Sequence, residues 1–497
     1  MAFENSQAFT LETKKLVDTH QFESVSRLEV QADKPIKKIM FIKALPKIIS
    51  TEKIGEYVEF NGRTSYQVVY ETEEGVLASV VAAVDFQNKL EVAYENVSLK
   101  VSIDENEITG FSAGEVAISS LVKVDVYAVV SEKISSVKEL TDDYVSEEKT
   151  YEYQRIVNTV NETFNEVAEH EINTKLDDIL FYTSDVKLTN AIAGIDTITI
   201  EGEVNVNITA IEDGQVKNIV KQVEIKQEMA SLSVIPTNMV DATLNVSDLK
   251  VTASVSDIDQ KTNLIIALEL NADAVIYARD NITVVEDAFS VKKEIISNGE
   301  CVASTLFDGD KVYSDTVTGG FETAREVDLL CFVNSYEVAI AERTANGLSS
   351  TITGAINVET ICETEAREKV RVDGIIPFAL VVEGLNDSDN LTVNARLTSA
   401  KLRGQKEIEC VFEVIAYYKK QSTNYITFLS SIEEVEDKAQ TESAIKVYVV
   451  KEGEDLFSVA KAISVRPIDI VDQNPIIANG LNAGARLIVY SPLDINF

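Results

Sequence analysis

The chain has no tryptophan, only two histidines, and few prolines (seven), glycines (20) or cysteines (four) in 497 residues. With His20 and His170 as the whole histidine complement, a histidine-based catalytic or metal centre has little to be built from. No HExxH, phosphate-binding loop or dinucleotide fingerprint occurs. The scarcity of proline and glycine excludes a collagen-like or low-complexity polymer. Apolar runs such as IMFI at 39–42 are far too short to cross a bilayer as a helix. The opening stretch, MAFENSQAFTLETKK, lacks the basic-then-apolar pattern and small-residue cleavage site of a secretory signal. A protein kept inside the cell is expected.

Positive charge is also short. Lysine and arginine total 45 against 82 acidic residues, a net charge of −37 spread along the chain. Phosphate backbones and anionic lipid headgroups are bound by clustered cations, so neither nucleic acid nor a charged membrane surface is an expected partner. The charge serves solubility first, and basic partners or divalent cations second. Cys301, Cys331, Cys362 and Cys410 are 30, 31 and 48 residues apart, which matches neither a CxxC zinc pattern nor a redox pair. Cys362 and Cys410 fall in the apolar phase of alternating segments, so packing is their expected role.

What is present is alternation, and it recurs. Three segments carry a glycine inside a period-two pattern: EYVEFNGRTSYQVVY around Gly62, DTITIEGEVNVNITAI around Gly202 and LSSTITGAINVETIC around Gly354. In the second, Ile198, Ile200, Val204, Val206 and Ile208 share one face, the signature of a half-buried strand. The interior glycine predicts a bulge or bend. Upstream of each lies a second anchor, IKKIMFIKALPKI, LDDILFYTSDVKL and VDLLCFVNSYEVA; downstream of each lies a third, around Val124, Ile266 and Phe412. Recurrence in fixed order predicts three tandem β-sandwich-like repeats, at 1–145, 146–289 and 290–437. The helix-like pattern at 156–170 stays open between helix and strand. The acidic stretches 138–149 and 433–443 read as linkers, with 438–445 separating the last segment.

That last segment, 446–491, predicts a strand, two short helices and a closing strand. Val447 to Val450 precede the turn Lys451-Glu452-Gly453-Glu454-Asp455. Leu456, Phe457, Val459, Ala460 and Ile463 share a helical face, Arg466-Pro467 opens a second helix, and Leu487 to Tyr490 close the unit. This βααβ order resembles the LysM module, a small binding domain best known for N-acetylglucosamine-containing glycans. The β repeats resemble SPOCS domains of clostridial sporulation proteins, through the strand–Gly–strand segment, acidic turns such as Glu71-Thr72-Glu73-Glu74-Gly75, and the later alternating strand. Several SPOCS-like copies followed by a LysM module resemble spore-coat morphogenetic proteins. The resemblance implies a non-enzymatic assembly role without cofactor, in the mother-cell cytoplasm at the forespore surface. It also implies docking through LysM to a coat-assembly ATPase or another coat protein. The β repeats would form a long scaffold, with self-assembly through strand edges. The alternative is a cell-wall-bound surface or appendage subunit that holds peptidoglycan or another such glycan.

By the same resemblance, the LysM ligand lies between the strand–helix turn (Gly453, Glu454, Asp455, Leu456) and the loop after the second helix (Asn474, Pro475, Ile476, Ile477). The family turn more often reads Gly-Asp-Thr. The more negative Gly453-Glu454-Asp455 favours a protein ligand over a glycan. Gly110-Phe111-Ser112-Ala113-Gly114 matches the GxSxG pattern, but alternation continues beyond it, whereas a nucleophile elbow needs a following helix. It is read as a connection between strands, and no catalytic residue is assigned. Asp308-Gly309-Asp310 and Asn386-Asp387-Ser388-Asp389 lack the spacing of a calcium loop and are read as turns, so no metal site is assigned.

Overall fold

The computed structural model describes residues 6–30, 34–138, 140, 143–256, 261–346, 348–386, 389–438 and 445–490. The chain is mainly β. Strands β1 (Ser6–Glu29), β2 (Ile36–Ile54), β3 (Tyr57–Thr72), β4 (Leu77–Glu91), β5 (Val97–Ser112) and β6 (Glu115–Val137) form two antiparallel sheets, β1-β6-β5 and β2-β3-β4. Next come β7 (Tyr144–Ile172), β8 (Asp178–Ala193), β9 (Thr197–Glu212), β10 (Gln215–Ala230), β11 (Met239–Val255) and β12 (Thr262–Ser290), paired as β7-β12-β11 and β8-β9-β10. Strands β13 (Lys293–Glu322), β14 (Leu329–Asn346), β15 (Ser349–Glu363), β16 (Lys369–Glu383), β17 (Asn390–Arg403) and β18 (Glu407–Asp437) pair as β13-β18-β17 and β14-β15-β16. One pairing scheme thus occurs in three successive sets of six strands.

Within a set the two sheets face each other across a core supplied by the apolar phase of each strand. In the second set, Ile198, Ile200, Val204, Val206 and Ile208 of β9 meet Leu264, Ile266, Leu268 and Leu270 of β12. The third set does the same with Ile352, Ile356 and Val358 against Ile408, Cys410, Phe412 and Val414. The open segment 156–170 is strand, the middle of β7. Its apolar side chains pack on the core of the second set through Val157, Val160, Phe164 and Ala168.

The three interior glycines have one physical cause. Gly62, Gly202 and Gly354 stand opposite Ile48, Leu188 and Ile340, and in each case the partner strand shifts register immediately afterwards. The bulge lies on the neighbouring strand, not on the glycine's own. It presses a backbone carbonyl inward, so an added Cβ at Gly62 or Gly202 would sit 2.7 or 2.8 Å from the oxygen of Lys47 or Lys187. At Gly354 it would collide with the oxygen of Ala339. Glycine is required by close approach, since none of the three has a positive φ.

A second bulge on the same strands sets the arrangement of the sets. Register shifts at Ile39/Phe41, Ile179/Phe181 and Leu330/Phe332 bring Met40-Phe41, Leu180-Phe181 and Cys331-Phe332 into one shared cluster. Phe181 packs edge-on against Phe41 with ring centroids 5.1 Å apart, and tilted by 36° against Phe332 at 5.7 Å. Val69, Leu77 and Ile361 complete the cluster. The long outer strands meet again at their far ends, where Phe9 contacts Tyr153 and Phe428.

The expected long scaffold is therefore corrected. Three sets share one apolar centre, because the bulges give each set aromatic side chains that pack against those of the other sets. The expected linkers are corrected as well. Tyr144 to Lys149 open β7, and Glu433 to Asp437 close β18. Most of the 438–445 linker, residues 439–444, lies outside the described residues. Phe181→Ala should lower the unfolding free energy by about 3–5 kcal/mol, read from urea unfolding. An unchanged midpoint would show that the sets do not depend on one another.

Candidate functional site

The C-terminal segment folds as β19 (Ile445–Val449), α1 (Leu456–Ile463), α2 (Pro467–Gln473), a 3-10 turn (Pro475–Asn479) and β20 (Arg486–Tyr490). Local chemistry explains each boundary. Gly453 takes the left-handed conformation the turn requires, at φ +83°. Asp455 caps α1 by accepting from the Ser458 N–H at 2.7 Å. Pro467 opens α2, where its missing N–H costs nothing. Val459, Ala460, Val465, Ile470, Leu487 and Val489 form the core.

The eight candidate ligand residues separate into groups. Glu454 accepts from the Tyr448 hydroxyl at 2.7 Å and from the Lys451 N–H at 2.8 Å, and the backbone bond first holds its carboxyl below the usual range. Asp455 is likewise held low by its capping bonds to Ser458. Leu456 and Ile477 come together on the module's own core. Gly453, Pro475 and Ile476 are exposed. Asn474 is buried, and its side chain serves the fold. Its Nδ2 donates to Ile470 O at 2.8 Å and Ile488 O at 2.9 Å, while Oδ1 accepts from Ile488 N at 2.8 Å. Gln473 repeats the device one pair along, with Oε1 accepting from Tyr490 N at 2.6 Å and Nε2 donating to Tyr490 O at 3.5 Å. Two side-chain amides thereby close the outer edge of β20.

The module does not stand apart. Phe457 packs on Phe289 of β12 with ring centroids 5.4 Å apart, and Val145 and Val291 join the same cluster. Lys461 bonds to Asp287 at 2.6 Å, and Lys438 spans Ser290 O and the Ser464 hydroxyl. An independently moving module is not what the structure contains.

A second concentration of polar groups lies where the three sets meet. A cavity of about 650 Å³ is lined from the first set by Lys43 and Gln67, from the second by Asp185 and Asp248, and from the third by Tyr336 and Arg396. A smaller one of about 340 Å³ shares Lys43, Ser184, Asp185 and Tyr336 with it. The Tyr336 hydroxyl donates to Asp185, which also accepts from Asn207 at 3.3 Å. Burial pushes the Asp185 carboxyl up, and Tyr336 well up. Burial lowers Lys43 to about 8 against the pull of Asp185. Arg396 reaches Glu203 and Glu413, both at 3.3 Å, and Lys187 reaches Glu413 at 2.6 Å. Each of these ties except Asp185–Asn207 and Arg396–Glu413 crosses a set boundary, so the cluster works as a clamp. Lys43 and Asp185 lie in the upstream anchor segments of the first and second sets, IKKIMFIKALPKI and LDDILFYTSDVKL.

The remaining candidates are dispersed. Ser112 ends β5 at a hairpin that leads directly into β6, so no helix follows it. His20 bonds to Asp18 at 2.8 Å, and His170 lies in β7 with a buried, unpartnered Nε2. The thiols of Cys331, Cys362 and Cys410 are buried and unbridged, and Cys301 is exposed. Among the described residues, no three His, Cys, Asp or Glu side chains converge to hold a metal ion. Among the described residues, no helix is long and apolar enough to cross a membrane. Asp387 and Ser388 lie outside the described residues. Asp308-Gly309-Asp310 is not a turn: it forms a bulge inside β13, with Gly309 at φ +114°. No family model, curated protein or solved structure matches the chain.

Two predictions follow from these environments. Asn474→Ala removes the side-chain bonds to Ile470 and Ile488 and should cost about 2–3 kcal/mol of module stability, visible as faster amide exchange at Ile488. Asp310 is pushed up to about 7 by burial and by the neighbouring Asp241 carboxylate, against Lys419. Between pH 4 and 7 the unfolded chain has released this proton and the folded chain keeps it, so stability falls as pH rises. Asp310→Asn should raise the thermal midpoint at pH 8, by roughly 2–4 kcal/mol equivalent, and leave it nearly unchanged at pH 4.

Proposed function

We propose that this chain is a non-enzymatic assembly protein of the bacterial spore envelope. The three six-strand sets are taken as tandem SPOCS-like β-sandwich repeats, and the βααβ unit as a LysM docking module for a coat-assembly partner. The arrangement resembles that of the clostridial coat protein SipL. The observation that carries this reading is the threefold recurrence of one pairing scheme ahead of a βααβ unit. The electrostatics are in keeping with it. The module carries five Lys or Arg and five Asp or Glu between residues 445 and 490, a net charge of zero on a chain of −37. It is the part of the molecule that meets an acidic partner with least repulsion.

A fluorescent fusion in sporulating cells tests the role. The full chain should gather at the forespore surface, and a variant lacking residues 446–497 should stay folded yet disperse. Unchanged localisation after that truncation would count against the docking role. Strong retention of the purified chain on peptidoglycan would support instead the wall-bound reading.

A further inference from the structure

The two edges of the C-terminal hairpin differ, and the difference marks one of them for a ligand. Ile445 pairs with Tyr490, Val447 with Ile488 and Val449 with Arg486. The N–H and C=O groups of Ile488 and Tyr490 point away from β19, because the side chains of Asn474 and Gln473 bond to them there. In an antiparallel ladder, opposed residues then share an unbonded pair, so the backbone groups of Ile445 and Val447 point to the other edge. Val449 continues that phase: Val450 turns inward, its N–H donating to Ala485 O at 3.0 Å and its carbonyl accepting from Gly484 N at 2.8 Å. Among the described residues, nothing pairs with the N–H or C=O of Ile445, Val447 or Val449.

The same alternation places their side chains on the sheet face opposite the helices. Ile445, Val447, Val449, Ile488 and Tyr490 are 52, 62, 52, 41 and 58% exposed, whereas Leu487 and Val489 between them are buried. Arg486 is the one charge on that face. One edge of the hairpin is sealed and polar; the other is open and borders an apolar surface.

We propose that the open edge of β19 takes an extended segment of a partner protein as a third strand, apolar at alternate positions and acidic near Arg486. This rests on the docking role proposed above and names its surface. Strand addition supplies backbone hydrogen bonds along the edge, while alternate side chains extend the apolar face. The size of the patch argues for a segment over a second copy of this chain. Five half-exposed side chains offer on the order of 400 Å², about half of what each partner gives to a standard protein interface. A second copy would also bring another −37 of charge.

The test uses the full chain and a fluorescein-labelled heptapeptide alternating threonine and valine and ending in glutamate. Saturable binding should slow amide exchange at Ile445, Val447 and Val449 at least threefold. Val447→Pro removes only an outward N–H, which an edge strand tolerates. It should weaken binding at least tenfold, with circular dichroism unchanged. Val447→Lys keeps the N–H but charges the face, and should weaken binding comparably. Absence of saturable binding, or protection at Gly453 and Ile476 instead, would overturn the assignment. So would a concentration-dependent dimer abolished by Val447→Lys, since the occupant would then be a second copy. If deletion of 446–497 disperses the protein in cells while Val447→Pro does not, this surface is wrong and the docking role survives.

Discussion

The structure depends on a bulge that occurs three times, just ahead of Phe41, Phe181 and Phe332. A regular strand would alternate these segments between its own core and solvent. One extra residue in the ladder changes the phase and leaves a large aromatic ring facing away from the set that carries it. Three such rings, with Met40, Leu180 and Cys331, find cover in one another and in Val69, Leu77 and Ile361. The polar clamp around Asp185, Tyr336 and Arg396 then surrounds a contact that the apolar cluster has already formed. Its charges, the buried Arg396 among them, are tolerable away from water because each has an opposite charge or a hydroxyl beside it.

Much of the β architecture was legible from residues alone. The alternation in 197–212 and 262–276 predicted the buried faces of β9 and β12, because a period of two leaves each side chain one choice. The anchors at Gly62, Gly202 and Gly354 marked where two backbones come unusually close, although the bulge lay across the ladder from the glycine. The βααβ order at the C-terminus followed from capping and breaking residues with local effects, Asp455, Pro467 and Gly453 among them. The segment 156–170 was ambiguous because its valines and phenylalanine satisfy both periods, and pairing with β12 decided it.

What could not be read was anything carried by contacts between sets. Acidic stretches such as 433–443 look like linkers in composition, yet Glu433 to Asp437 extend a ladder whose partner lies some 140 residues away. Asn474 illustrates the same limit at short range. An asparagine after a helix suggests a ligand-facing loop, whereas here its amide substitutes for a missing strand along β20. That substitution leaves the module with one reactive edge. It shifts attention from the loops at Gly453 and Ile476 to β19, whose valines and isoleucine have no cover of their own.

The central claim is that three sets converge on a shared centre and do not form a string. Small-angle scattering of the purified chain tests it most directly. A converged body of this length should have a radius of gyration of about 23–28 Å. Three separate bodies in line would give about 35 Å or more, with a maximum in the distance distribution at the spacing between neighbours. That second profile would contradict the account.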